Sequence, residues 1–228
     1  MSLSRRHLIL ALSATALQPA QAARYEGQTF ADSLDLGGSP LVLNGTGKRQ
    51  VAWLKGYLAA LYLTHRANTP DEAYRAPGPK RIEMRILIEA STMELVKAVD
   101  KGMGRNCTEP EKLAVAERQK QFTAVIASVG KVRKGDLITI DYLPDRGTVL
   151  TINGQQKGKD IPGEDFANAL LRVWLGEDPV QNDLKQALLG KAQYADNNPK
   201  NISGPPRAGR TSTTPIRRRH HDPPAAPS

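Results

Sequence analysis

One cysteine, Cys107, stands in a chain of 228 residues. No internal disulfide can staple such a chain, so its stability has to come from a buried core. A lone thiol can be reactive or can pair between chains; the expected role is a buried, inert small hydrophobe. Histidine is nearly as scarce: there are four, and only His65 lies outside the two ends of the chain. That excludes a His-rich metal site. A Ser-His-Asp triad would need His65, and no nucleophile-elbow pattern accompanies it. His65 therefore reads as a solvent-facing loop residue just after a strand. No glycine-rich phosphate loop precedes a helix, and no apolar run is long enough to span a bilayer. No metal and no cofactor are expected.

Positive charge is present in excess, but not where a nucleic-acid groove would need it. Of the formal +9, residues 1–22 carry +2 (Arg5 and Arg6) and residues 195–228 carry +4, which leaves +3 on 23–194. That is ordinary for a dispersed domain, and no nucleic-acid partner is expected. Residues 1–22 read as a cleaved signal peptide. Arg5-Arg6 form a positive start, 8–17 an apolar stretch, and Ala20-Gln21-Ala22 a small-residue cleavage site, so the chain is expected to be periplasmic. Ser4-Arg5-Arg6-His7-Leu8 also fits a twin-arginine signal, which leaves both export routes open. Residues 195–228 hold seven prolines and almost no large apolar side chain. They are expected to be a disordered tail. Arg217-Arg218-Arg219-His220-His221 could touch anionic lipid or a cell-envelope polymer, or the tail could simply solubilise.

Between the ends, 23–194 reads as one domain. Residues 23–48 give short strands, with Gly37-Gly38 and Asn44-Gly45 as turn signals. Residues 48–64 contain Trp53, Tyr57, Leu58, Leu61 and Tyr62; their composition allows a helix or a strand. Residues 68–79, with Pro70, Pro77 and Pro79, read as a loop. Ile82, Met84, Ile86 and Ile88 alternate with Arg81, Glu83, Arg85 and Leu87, the pattern of a half-buried strand. Ser91 or Thr92 caps a helix to about Arg105. Thr108-Glu109-Pro110-Glu111 is a capping box opening a second helix to about Val129, with Leu113, Ala116, Phe122, Val125, Ile126 and Val129 on its apolar side. Strands follow at 137–142 and 148–152, joined by Pro144-Asp145-Arg146-Gly147, and Asn153-Gly154 opens another hairpin. Phe166, Ala169, Leu170, Val173 and Trp174 recur at helical spacing; Gly176 caps that helix and Pro179 stops it. Strands, a helix pair, strands and a helix pair imply an α+β fold, a large antiparallel sheet with a helical layer on one face.

The stretch 161–185 resembles the bacterial chalcone isomerase-like family. So do Gly147-Thr148-Val149, Asn153-Gly154 and Leu54-Lys55-Gly56-Tyr57-Leu58-Ala59-Ala60-Leu61-Tyr62-Leu63. The resemblance spans about 25–190. It implies an open-faced sheet with a helical layer and a ligand cleft between them, and it favours strand over helix for 48–64.

In the catalytic members of that family, an arginine, a tyrosine, threonines and an asparagine steady an anion and hold water. By resemblance the arginine follows Gly45-Thr46-Gly47-Lys48 and maps to Arg49. The asparagine maps to Asn106, ahead of Cys107. The first threonine position holds Tyr57 and the last hydroxyl position holds Val173, followed by Trp174; the tyrosine's region offers Val96, Ala98, Val99 and Asp100. An aliphatic Val173 can neither polarise a carbonyl nor hold water. Arg49 with Tyr57 instead resembles the fatty-acid-binding members, in which guanidinium and phenol clamp a carboxylate. The expected ligand-binding set is Arg49, Tyr57, Asn106, Val173 and Trp174, for a small apolar or aromatic acid. The alternative is an isomerase acting on chalcone- or flavanone-like compounds. From the residues alone, Arg49 reads as a polar hairpin rim. Eight positions on a straight strand would also put Arg49 and Tyr57 roughly 27 Å apart, so one shared site requires a hairpin or a sharp bend near Gln50.

Overall fold

The computed structural model describes residues 22–51 and 54–191. The expected tail and Trp53 lie outside the described residues, as does the expected signal peptide apart from Ala22. Strands β1 (Ala22–Tyr25) and β2 (Gln28–Ala31) pair as a hairpin. Seven strands form one antiparallel sheet: β3 (Ser33–Leu36), β4 (Ser39–Val51), β5 (Leu54–Leu63), β6 (Lys80–Ile86), β9 (Leu137–Leu143), β10 (Gly147–Ile152) and β11 (Gln155–Ile161). Their order across the sheet is β11-β10-β9-β6-β5-β4-β3. The two-residue strands β7 (Ala90–Ser91) and β8 (Lys131–Val132) pair separately. Helices α1 (Pro70–Arg75), α2 (Thr92–Asn106), α3 (Glu109–Val129), α4 (Glu164–Leu175) and α5 (Asn182–Leu188) complete the α+β fold.

The expected alternation on β6 is present. Ile82, Met84 and Ile86 join the main core with the helices, together with Ala59, Leu61 and Leu63 of β5. The opposite face carries a second apolar cluster of Leu41, Leu43, Leu58, Ala60 and Tyr62, against which Phe30 of β2 is fully buried. The Arg85 guanidinium lies 4.7 Å from the Phe30 ring. The open face of the sheet is thus partly covered by the β1–β2 hairpin.

Four local expectations change. Asn44-Gly45 is not a turn but a β-bulge inside the thirteen-residue β4, where the pairing with β5 shifts between Leu43 and Gly45. Tertiary partners satisfy the asparagine. Its Nδ2 donates to Ala67 O (2.9 Å) and Leu188 O (2.7 Å), and its Oδ1 accepts from Ala67 N (2.7 Å). The second change is that 48–64 is not one strand but the end of β4, its connection and β5. Third, residues 68–79 include α1, which opens with Thr69-Pro70-Asp71-Glu72; Glu72 N donates to Thr69 Oγ1 at 3.2 Å. This is the same capping logic as at Thr108. Fourth, Leu113 is 79% exposed, and the buried residues of α3 are Val115, Phe122 and Ile126.

The helical layer is fastened at one point by Arg172 of α4. Its guanidinium forks onto Glu111 at the start of α3 (2.7 and 2.8 Å) and donates to Asn106 O at the end of α2 (3.1 Å). Glu111 also accepts from Thr108 N at 2.8 Å. The arginine, and then that backbone bond, hold the Glu111 carboxyl down at about 2, from an ordinary 4.5. A depressed folded value contributes stability that is complete above the unfolded value and lost as pH falls through the folded one. The protein is therefore expected to lose stability between about pH 4.5 and 2, and Glu111→Gln to flatten that slope. Urea midpoints at several pH values check this; parallel profiles for the two proteins would contradict it. Cys107 is buried beside Arg172, and burial raises its thiol above the ordinary range, which keeps it protonated and inert.

Candidate ligand-binding cavity

The α4 face expected from helical spacing is buried throughout: Phe166, Ala169, Leu170, Val173 and Trp174. It crosses α2 closely at Gly102, where a Cβ would sit 3.0 Å from Val173. Over the sheet next to this crossing lies a cavity of about 490 Å³, a size that falls within the ~300–1,000 Å³ of small-molecule clefts. Its floor includes Met84, Ile86, Ile138 and Ile152 from the sheet, and its roof Leu95, Val99 and Ile126 from α2 and α3. Trp174, Val173 and Val180 close one side. Arg49 and Tyr57 enter the same wall, while Glu94, Lys97 and Lys101 of α2 stand along the rim. Glu94 pairs with Lys97 at 2.8 Å.

The Gly-x-Gly pattern before Arg49 has a packing explanation. After the bulge, Gly45, Gly47 and Arg49 share the helix-side face of β4, because alternate residues of a strand point the same way. A Cβ on Gly45 would lie 2.1 Å from Ala187 O, and one on Gly47 would lie 2.8 Å from Ala187 Cβ and 2.7 Å from Leu184 Cδ1. The two glycines therefore seat α5 on the strand, and the next residue of that face is Arg49. Of the hairpin or bend that one shared site required, the structure has the hairpin: Arg49 and Tyr57 are direct partners across β4 and β5. Such partners have Cα atoms about 4.5–5.5 Å apart.

Tyr57 is half-buried, its ring turned to the cavity, and its hydroxyl accepts from Trp174 Nε1 at 3.0 Å. An indole nitrogen only donates, so the phenol's own hydrogen remains available to another acceptor. Burial raises the phenol above its ordinary value; the Trp174 bond and the Arg49 charge pull it back only in part. Tyr57 therefore stays protonated and acts as a donor. Removing one partner from a buried bond costs about 1–3 kcal/mol, whereas removing both costs less. Trp174→Phe is thus expected to destabilise wild type by more than it destabilises Tyr57→Phe, with a coupling of about 1 kcal/mol. A double-mutant cycle of urea unfolding reads this, and additive effects would contradict the pairing.

Arg49 donates through Nη1 to Gln50 O (2.7 Å) and to Gln181 Oε1 (3.3 Å). Among the described residues no carboxylate pairs with it, and its Nε and Nη2 make no hydrogen bond. The guanidinium keeps a whole positive charge and one free edge beside an apolar cavity. Such an edge matches the two oxygens of a carboxylate.

Of the five residues expected from sequence, Arg49, Tyr57, Val173 and Trp174 come together at the cavity. Asn106 does not line it. Its Nδ2 donates to Gly102 O (2.8 Å) and Asp178 O (2.9 Å), and its Oδ1 accepts from Asp178 N (2.8 Å). Asn106 therefore fastens the end of α2 to the α4–α5 connection. This also explains Gly176, whose φ of −64° needs no glycine: a Cβ there would lie 2.3 Å from Asn106 Oδ1. Gln181 escaped the sequence reading, since one glutamine in a loop carries no pattern.

No curated protein matches the chain. Among solved structures it is similar to a fatty-acid binding protein of Arabidopsis thaliana, with a TM-score of 0.57 and 16% sequence identity, over 74% of this chain and 96% of that one. At that identity the likeness establishes the fold. Residues 22–190 match the model of the chalcone isomerase-like family. With three-quarters of its length inside that match, the chain belongs to the chalcone isomerase-like family.

Proposed function

We propose that this protein binds a fatty-acid-like ligand, with the carboxylate at Arg49 and Tyr57 and the acyl chain in the cavity between sheet and helices. The observation that carries this reading is the Arg49 guanidinium, charged, without a carboxylate partner among the described residues and set at the wall of an apolar cavity. A partly desolvated charge is costly unless a counter-ion meets it. A ligand carboxylate would supply that counter-ion, and the protonated Tyr57 would add a second donor. The apolar lining would exclude water from the chain. The structural likeness to a fatty-acid binding protein is consistent with this reading. Cyclisation of a chalcone-like substrate finds less support, because the family's last hydroxyl position is Val173, an aliphatic wall residue.

The proposal includes export to the periplasm, which rests on Arg5-Arg6, the apolar stretch 8–17 and Ala20-Gln21-Ala22. The test of function is to purify the protein, extract it into organic solvent and analyse the extract by mass spectrometry. Free fatty acids recovered in near-stoichiometric amount are the expected result. An extract without them, together with no uptake of added palmitate, would end the reading.

A further inference from the structure

Gln181, immediately before α5, has its side-chain amide committed to the β4–β5 hairpin at both ends. Its Oε1 accepts from Gln50 N (2.9 Å) and from Arg49 Nη1 (3.3 Å), and its Nε2 donates to Lys48 O (3.3 Å). The preceding residue, Val180, lines the cavity, and its N–H donates to Val173 O at 2.9 Å. The connection that forms part of the cavity wall therefore also grips the guanidinium. Nη1 has two hydrogens, which go to Gln50 O and Gln181 Oε1. The opposite edge, Nε with Nη2, is left as the fork that a carboxylate meets. Both acceptors on Nη1 are neutral, so the arginine is held in place without losing its charge.

We propose that Gln181 is the positioning residue that sets the cavity's preference for an anionic head group, fixing Arg49 through Nη1 while leaving its charge uncompensated. This rests on the carboxylate reading above. A glutamate at this position would have nearly the same shape and would supply an internal counter-ion in competition with the ligand. A residue that merely held the loop would affect charged and neutral ligands alike.

The test uses the full chain and equilibrium dialysis with palmitate and with methyl palmitate. In Q181E the ratio of acid to ester affinity is expected to fall about fivefold, the size of one charge pair in a partly solvated site. Should Q181E not fold, Gln181→Met removes the grip without adding charge and is expected to lower the ratio about threefold. A ratio that stays at the wild-type value in the variant assayed overturns the proposal. Arg49→Ala separates the two levels. If it too leaves the ratio unchanged, the carboxylate reading itself fails; if it lowers the ratio and Q181E does not, only the role of Gln181 falls.

Discussion

Arg49→Ala is expected to weaken palmitate binding about a hundredfold and to leave methyl palmitate far less affected. A hydrogen bond involving a charged group contributes ~1.5–3 kcal/mol. The free edge of Arg49 offers two such bonds to one carboxylate, in a wall that is only half-buried. Solvent takes back part of that gain, and a net loss of about 2.7 kcal/mol corresponds to a factor of one hundred. Arg49→Ala also removes the Arg49 bond to Gln50 O and one of the two donors to Gln181 Oε1, a local effect that should touch acid and ester alike. The comparison between the two ligands isolates the charge. Arg49→Lys would keep the charge but lose the fork and the Nη1 grip, and should recover only part of the difference. Calorimetric titration of both ligands reads this directly. Equal losses for acid and ester would mean that Arg49 serves the fold of the hairpin and not the ligand.

The largest effect on stability is expected at Gly45. An added Cβ would lie 2.1 Å from Ala187 O and 2.8 Å from Leu188 O. Both are backbone atoms at the end of α5, so no side chain can rotate away. Either α5 lifts off β4 or the strand buckles, and lifting α5 disturbs the Asn44 bridge to Leu188 O as well. Overpacking of this kind against backbone costs about 3 kcal/mol or more. For a domain of this size that lowers the melting temperature by roughly 10 °C, at about 2–4 °C per kcal/mol. Gly104 in α2 is the control, since nothing lies within 4 Å of its would-be Cβ. There, alanine should raise stability by ~0.5–1 kcal/mol through helix propensity. Calorimetric melts of the two variants should therefore move in opposite directions. A Gly45→Ala melt at or above wild type would show that α5 is not seated on the glycines as described.

The elements that could be read from sequence are those whose signal is local. The apolar face of α4, the capping box at Thr108, the alternation on β6 and the Asn153-Gly154 turn, with φ of 51° and 76°, each depend on a few neighbouring residues. Where local chemistry has two uses, sequence alone chose the commoner one. Asn44-Gly45 looks like a turn because both uses need a polar residue beside a glycine. Here Ala67 and Leu188, distant in sequence, supply the partners that make it a bulge. That bulge matters for the site. It changes the face of β4 and so places Arg49 on the same side as Tyr57. Asn106 failed in the opposite sense. The resemblance implied a site role for it, but whether an amide points to a cavity or to a neighbouring loop depends on where Asp178 arrives. Gln181 was invisible for the same reason: its role exists only after the α4–α5 connection meets the hairpin.

A structure of the protein with palmitate bound tests the central claim most directly. The carboxylate oxygens are expected within about 3 Å of the Arg49 guanidinium and the Tyr57 hydroxyl, with the chain running between Ile86, Ile138 and Ile152 of the sheet and Leu95 and Val99 of α2. A carboxylate seated instead at Lys97 or Lys101 on the rim, or a cavity left empty at saturating palmitate, would contradict it.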